Sequence, residues 1–342
     1  YNAAISACEK AHQWEYALGL LSDVHSRGLP ANVITYSATI SALEKGSQWQ
    51  RAVELLHQMR HEVSKPNIIT YNAAIGACAK DQKWEWALFL LGRALQAGLR
   101  PTVITFATAI SACEKAQQWE VSLALLDELR WRKLQPNLIT FNSVISACEK
   151  GHQWVLALSF LGGLDAQGLV PDIISYNAAI SACQKGQQWQ FALWLLSEVL
   201  RQDFKLHMIT FNAVIATCGR GQQWDIAIAL LGDARRRILE PDIITYDSVI
   251  SACEKGRQWT LALDHLGEIW RRGLVPNLIS HGAAISACES CQQWLERADG
   301  QDKTVERQWA FVLELFGDMP RRGVDVTGFE CGAAASAAGK VG

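Results

Sequence analysis

Apolar positions along the chain follow two alternating helical patterns that return every 35 residues. Taking Val33 as position 1 makes Asn67 position 35. In ITYSATISALEK (34–45), positions 4, 7, 8 and 11 gather on one side of a helix. They are Tyr, Ala, Ile and Cys in most copies, which predicts the core face of a first helix, with Thr35 or a neighbour as N-cap. Positions 2, 5, 9 and 13, typically Ile, Asn, Ser and Lys, share an arc of about 80° on another side.

A second helix follows in WEYALGLLSDVHSRG (14–28). Trp14, Ala17, Leu18, Leu21 and Val24 keep the i, i+3, i+4, i+7 spacing of one buried stripe. Gly28, Gly98, Gly168 and Gly273 suit the C-cap, and Pro66, Pro101, Pro136, Pro171, Pro241 and Pro276 stop the chain before the next unit. The repeat is kept without a slip by Trp14, Trp49, Trp84, Trp119, Trp154, Trp189, Trp224, Trp259 and Trp294. Self-similarity of this kind predicts an all-α, superhelical α-solenoid of helix-turn-helix repeats. With packed helices roughly 8–10 Å apart, nine units give an elongated array about 80–90 Å long. The domain reading is one array over residues 1–342, of about nine to ten repeats, partial at both ends. A charged insertion near 295–309 shifts the phase, and 310–323 and 331–340 read as a resumed second helix and a degraded first one. The first residue is Tyr1, with no initiator Met and no leader, so a segment of a longer chain is expected.

Composition fits stacked helices: 49% of residues are apolar and only 19% charged. The formal charge of −2 gives no global attraction to nucleic acid, so any such binding must come from local patterning. No apolar run reaches the ~18 residues of a membrane span, and no membrane insertion is expected.

The unit ITYNAAI…EK…W..AL.LL…G..PN resembles the pentatricopeptide repeat (PPR) family over essentially the whole chain. The tetratricopeptide repeat is the near alternative, but its period is 34 and its Trp lies early in the first helix. The likeness implies the all-35-residue subclass and a right-handed superhelix. It further implies single-stranded RNA as partner, read at about one base per repeat by two or three side chains.

By that likeness, position 2 sandwiches the base: Ile34, Ile69, Ile104, Ile139, Ile174, Ile209, Ile244 and Ile279. Positions 5 and 35 read its edge. These pairs are Asn2/Asn32, Ser37/Asn67, Asn72/Thr102, Ala107/Asn137, Asn142/Asp172, Asn177/His207, Asn212/Asp242, Asp247/Asn277 and Gly282/Thr327. Asn142/Asp172 and Asn212/Asp242 resemble uracil readers, Asn2/Asn32 a pyrimidine reader and Ser37/Asn67 an adenine reader. Four pairs depart from the pattern: Ala107/Asn137, Asn177/His207, Asp247/Asn277 and Gly282/Thr327. The implied target is pyrimidine-A-pyrimidine-N-U-N-U. Position 13, which meets the phosphate in the family, holds Lys10, Lys45, Lys80, Lys115, Lys150, Lys185, Arg220 and Lys255. A local cationic stripe neutralises phosphates whatever the net charge. Neighbouring Glu9, Glu44, Glu114, Glu149 and Glu254 would dilute it.

The resemblance implies a mitochondrial or chloroplast protein that stabilises, processes or exposes organelle RNA, with no enzyme activity, no catalytic residue and no cofactor. The rival reading is a protein-interaction scaffold in a ribosomal or other organelle assembly. Other features that suggest chemistry read as packing. Cys8, Cys78, Cys113, Cys148, Cys183, Cys218, Cys253 and Cys288 share position 11 with Leu43, which marks a packing slot of reduced, buried thiols. Cys288 and Cys291 form a lone CxxC, and His57 and His61 lack a third ligand beyond Glu62, so neither predicts a metal. The Trp row is expected in the core, and Trp86, Trp131, Trp194 and Trp270, off that register, are expected at the surface.

Overall fold

The computed structural model describes residues 1–61, 65–202, 204 and 206–295, with side chains to residue 288. Among them are nine A-helices: α1 (Asn2–Lys10), α3 (Val33–Lys45), α5 (Ile68–Lys80), α7 (Val103–Lys115), α9 (Leu138–Lys150), α11 (Ile173–Lys185), α13 (Met208–Arg220), α15 (Ile243–Lys255) and α17 (Leu278–Leu295). Eight B-helices alternate with them: α2 (Trp14–Ser26), α4 (Trp49–His61), α6 (Trp84–Gln96), α8 (Trp119–Trp131), α10 (Trp154–Gly162), α12 (Trp189–Arg201), α14 (Trp224–Arg236) and α16 (Trp259–Arg271). No strand occurs among the described residues. The fold is an all-α helical-repeat solenoid, as the 35-residue period predicts. The chain forms two compact units, Tyr1–Ala182 and Cys183–Gly342. Within each, an A-helix packs on the next A-helix and on its own B-helix.

Both kinds of helix end the same way, for a reason visible in the backbone. Position 15 enters the left-handed region, with φ 54° at Ser47 and 60° at Gln117, and the chain then closes a 6→1 bond. Gln48 N donates to Leu43 O at 3.0 Å and Gln118 N to Cys113 O at 2.8 Å. Position 31 repeats this at the end of the B-helix, with φ 65° at Gly28 and 71° at Gly98 and Gly273. Lys133 and Ile238 hold the same conformation without glycine's freedom. In the fifth repeat Gly162 and Gly163 break the B-helix early, and a 3-10 turn (Asp165–Gln167) completes it. α17 runs on to Leu295, past the point where the other A-helices stop. The expected insertion at 295–309, the helices read at 310–323 and 331–340, and Thr327 lie outside the described residues.

The A-helix is buried more widely than its expected core face. Besides positions 4, 8 and 11 (Tyr36, Ile40 and Leu43, all fully buried), Thr35 at position 3 and Ala42 at position 10 are shut away. Stacking between two neighbouring A-helices covers both flanks, which one helix's periodicity does not reveal. The aromatic at position 4 meets position 28 of the preceding B-helix. His25 Nε2 lies 3.1 Å from Tyr36 Oη, Arg235 Nη2 donates to Tyr246 Oη at 2.9 Å, and the Arg130 guanidinium sits 5.8 Å from the Phe141 ring centre. Six of the position-11 thiols, Cys78 to Cys253, are buried, and burial pushes them up to about 11–12. They are packing groups.

From Trp14 to Trp259 the Trp row departs from expectation, being half-buried rather than core; the side chain of Trp294 lies outside the described residues. The rings of Trp14, Trp119, Trp189 and Trp224 lie against a glycine at position 14 of the next repeat: a Cβ on Gly46 would come 2.2 Å from Trp14 Cδ1, and one on Gly151 2.3 Å from Trp119 Cδ1. The ring edge fills a notch between repeats, so part of its face stays in solvent. Trp86, Trp131 and Trp194 are exposed as expected, whereas Trp270 is half-buried. It stands at position 28, the slot that meets position 4.

Candidate nucleic-acid interface

Position 2 opens each A-helix with an isoleucine whose side chain faces solvent. Exposure runs from 59% at Ile244 to 73% at Ile209 across Ile34, Ile69, Ile104, Ile139, Ile174, Ile209, Ile244 and Ile279. A β-branched apolar side chain gains nothing from water, and eight at one register form a surface that a ligand can cover.

Position 35, immediately before the helix, is the true N-cap; the expected cap at Thr35 is its N3 partner instead. Asn32 Oδ1 accepts from Thr35 N at 3.0 Å, Asn67 Oδ1 from Thr70 N at 2.9 Å, and Asn137 Oδ1 from Thr140 N at 2.9 Å. The carboxylates of Asp172 and Asp242 do the same for Ser175 N at 2.8 Å and Thr245 N at 2.9 Å. Asn, Asp and Thr suit this place because a short side-chain oxygen satisfies an orphan helix N–H.

Within each unit the structure brings position 35, at the start of the next A-helix, against position 5 of the same repeat. Asn2 Nδ2 lies 3.5 Å from Asn32 Oδ1, Asn142 Nδ2 donates to Asp172 Oδ1 at 3.1 Å, and Asn212 Nδ2 to Asp242 Oδ1 at 3.2 Å. Asn277 Nδ2 donates to Asp247 Oδ2 at 2.8 Å, the same contact with acid and amide exchanged. Asn177 and His207 fall on either side of the division between the units, and Gly282 has its partner outside the described residues.

A third member of this cluster is not among the expected site residues. The position-3 hydroxyl, buried in every described repeat, joins the pair from behind. Thr35 Oγ1 donates to Asn2 Oδ1 at 2.7 Å, Ser175 Oγ to Asn142 Oδ1 at 2.6 Å and Thr245 Oγ1 to Asn212 Oδ1 at 2.7 Å; Ser37 and Thr70 share a 2.8 Å bond. Ser280 Oγ donates to Asp247 likewise. The signal available in sequence was the Asn/Asp-x-x-Thr/Ser spacing of a capping box. The Asn72/Thr102 repeat is incomplete. Thr105 Oγ1 turns to Thr102, 3.1 Å from its N and 3.3 Å from its hydroxyl, and Asn72 Oδ1 is left buried without a partner.

Electrostatics keep the acid pairs ionised. Burial pushes the Asp172 and Asp242 carboxyls up, but hydrogen bonds from Ser175 and Asn142, and from Thr245 and Asn212, outweigh it and hold both below the usual range. An ionised carboxylate only accepts, while the amide's second N–H only donates.

At the fourth repeat these rows enclose one space. A cavity of about 300 Å³ lies between Ile104 and Ile139, with Ala107, Asn137, Lys80 and Lys115 on its walls. A second, of about 430 Å³, is lined by Asn2, Asn32, Thr35 and Tyr1. The cations of position 13 edge this face, but not all are unopposed. Lys45 Nζ lies 3.2 Å from Glu9 Oε1, and Lys150 Nζ 2.6 Å from Glu114 Oε1. Among the described residues no group of three His, Cys, Asp or Glu is placed to hold a metal; His57 and His61 stack with ring centres 4.6 Å apart, and Glu62 lies outside them.

Comparison with known proteins bears on the repeat fold. The family model described as "Pentatricopeptide repeat domain" matches residues 19–81, 90–150, 159–221 and 229–290, and that described as "PPR repeat" matches 1–29 and 69–99. No curated protein matches the chain. Among solved structures, the pentatricopeptide repeat protein PPR10 from maize is similar at 20% identity and a TM-score of 0.62, over 99% of this chain and 51% of its own. PPR10 in complex with an 18-nt psaJ RNA element is similar at 18% identity and a TM-score of 0.60, over 98% and 57%. This chain thus spans about half the length of that protein, and the likeness carries the fold. The repeats, their helix boundaries and the family matches together place the chain in the pentatricopeptide repeat family.

Proposed function

We propose that this chain binds single-stranded RNA, taking about one base per repeat between successive position-2 isoleucines and reading it with positions 5 and 35. The observation that carries the reading is the cavity at the fourth repeat, where two isoleucines, a position-35 amide and two lysines line one space. Packed helices stand roughly 8–10 Å apart, room for one flat ring between neighbouring side chains. The solved PPR10–RNA complex, similar in fold, supports the ligand class.

Base choice follows from what each pair leaves unbonded. In Asn142/Asp172, Asp172 Oδ1 is taken by Ser175 and Asn142, which leaves the second carboxylate oxygen and one amide N–H. An acceptor beside a donor matches N3–H and a carbonyl of uracil. In Asn2/Asn32 the cap consumes Asn32 Oδ1, so the amide donors remain, and these suit the N3 lone pair of cytosine. The activity requires no chemistry: a strand held this way is shielded from nucleases and pairing partners. In the family such binding serves RNA stabilisation, processing or translation in mitochondria or chloroplasts, and we extend that role to this chain.

The Glu9–Lys45 and Glu114–Lys150 ion pairs favour the rival scaffold reading, since they weaken the cationic edge. The isoleucine row weighs more, because a protein partner has no reason to need an exposed apolar residue at every 35th position. The test is a titration of labelled 12-nucleotide RNA, single-stranded and annealed to its complement. Binding of the single strand alone is expected; equal binding of both, or of neither, overturns the reading.

A further inference from the structure

The position-13 cations differ in what stands in front of them. Lys45 meets Glu9 and Lys150 meets Glu114, each a position-12 carboxylate 36 residues upstream. Glu114 Oε1 is steadied by Ser146 Oγ at 2.9 Å, a position-9 hydroxyl of the next repeat, and Glu254 Oε1 by Ser286 Oγ at 2.6 Å. Glu44 has no such hydroxyl, because Gly76 holds position 9. Its carboxylate lies over that glycine, where a Cβ would come 2.5 Å from Oε1; burial pushes this carboxyl up, with Lys80 and Lys45 opposing the shift.

Three repeats break the pattern: position 12 is Ala79, Gln184 and Gly219, ahead of Lys115, Arg220 and Lys255. Lys115 lines the fourth-repeat cavity, whose walls also hold Ala79 and, from one repeat further back, Glu44. Arg220 Nη1 donates to the neutral Gln184 carbonyl at 3.2 Å and keeps its full charge. Gly219 packs against Ala252, 3.0 Å from where its Cβ would be, so that site has little room for a longer side chain.

We propose that the position-12 carboxylates are built-in counterions that decide which repeats grip the RNA backbone, leaving Lys115, Arg220 and Lys255 as the phosphate anchors while Lys45 and Lys150 are largely neutralised. This rests on the RNA reading above. A phosphate approaching Lys45 meets the Glu9 charge at nearly the same distance, and two opposite charges that close have little net field. The salt dependence of binding counts the phosphates that exchange counterions for protein cations, with a slope of about −0.7 per contact for single strands. A lysine already paired within the protein adds little to that count. Among the position-13 cations with a position-12 residue 36 upstream in the same unit, those without a carboxylate there are Lys115 in the first unit and Arg220 and Lys255, in two consecutive repeats, in the second.

Two reciprocal substitutions test this on the full chain. Ala79→Glu places a carboxylate before Lys115, with Ser111 at position 9 to steady it, as Ser146 steadies Glu114. Glu114→Gln removes the counterion of Lys150. Affinity for a uridine-rich 12-nucleotide single strand is measured by anisotropy from 50 to 200 mM KCl. A79E is expected to flatten the salt slope by about 0.7, roughly threefold in affinity over that range, and to match K115A. E114Q is expected to steepen it by the same amount. Slopes unmoved by both, with binding intact, overturn the counterion proposal and leave RNA binding standing. Absence of RNA binding overturns both. A readout without RNA is competitive amine labelling of the free chain: Lys115 should label more slowly in A79E and Lys150 faster in E114Q. Unchanged labelling in both overturns the device directly.

Discussion

Asp242 performs two tasks that a pair of substitutions separates. As N-cap of α15, its Oδ1 accepts from Thr245 N at 2.9 Å and Asn212 Nδ2 at 3.2 Å, with Thr245 Oγ1 in contact at 2.7 Å. Asp242→Ala removes all three contacts. Losing an N-cap costs about 1 kcal/mol. Leaving a half-buried amide without its acceptor costs about 1–3 kcal/mol more. The Thr245 hydroxyl keeps Asn212 Oδ1 at 2.7 Å, which holds the total toward the low end. D242A is therefore expected to lower unfolding free energy by roughly 2–3 kcal/mol. Asp242→Asn keeps an oxygen in the cap and loses only the charge beside the helix N-terminus, about 0.5 kcal/mol. The same change converts the group left for a ligand from acceptor to donor, so uracil is disfavoured and cytosine favoured. A good base contact discriminates by about 1–3 kcal/mol, or roughly 5–150-fold. Urea unfolding followed by circular dichroism reads the first effect. Anisotropy with two RNAs differing by one U-to-C change opposite this repeat reads the second. If D242N is as destabilising as D242A, the capping argument fails; if D242N still prefers uridine, the base-edge argument fails.

Further expectations concern other sites. Thr102→Asn introduces the amide cap found at Asn32, Asn67 and Asn137 and lets Thr105 reach the orphaned Asn72 oxygen, so the urea midpoint should rise by an amount equivalent to about 1 kcal/mol. A drop in midpoint would refute that. Ile238 is 91% exposed with φ 61°, a conformation costing a β-branched residue about 1–2 kcal/mol. Ile238→Gly should stabilise by about 1 kcal/mol despite glycine's unfolded-state entropy, and a loss of stability would show that the side chain packs after all. His265 is held below its ordinary value, first by burial, with Arg235 adding to this and Glu268 opposing it. It stays neutral in the fold while the unfolded chain takes up protons, so stability should fall as pH drops below about 6.5. The carboxylates of Asp172, Asp242 and Glu268, all lowered, contribute stability above the ordinary carboxylate range that is lost only at more acid pH. His265→Gln should remove the first step and leave the second. A titration without a step near pH 6 in the parent chain would contradict this.

What could be read from the sequence was whatever lies inside one repeat. Helix bounds came within a residue or two, because Trp at the start and Gly at position 31 mark the same turns in the backbone. That positions 2, 5 and 13 share one arc followed from helix geometry alone, but position 2 is exposed while position 5 is half-buried or, at Ala107 and Asp247, buried. What escaped was contact between repeats. The buried position-3 hydroxyl serves Asn142 from 33 residues away, and the Glu114–Lys150 pair spans 36. The Trp119 ring edge is shaped by Gly151 of the next repeat. These depend on how repeats stack, which no single helix's periodicity encodes. Position 35 was assigned to base reading and proved also to be the helix cap. Capping and the proposed base reading ask for the same residue types, so composition does not separate them.

The central claim is that positions 5 and 35 select bases in register with the repeats. Selection from a random single-stranded RNA pool tests it most directly, run with the parent chain and again with Asn142→Ala and Asn212→Ala. The account predicts a motif containing two uridines separated by one nucleotide, with each substitution relaxing one of them and leaving the other. A parent motif that both substitutions leave unchanged, or no motif at all, would contradict it.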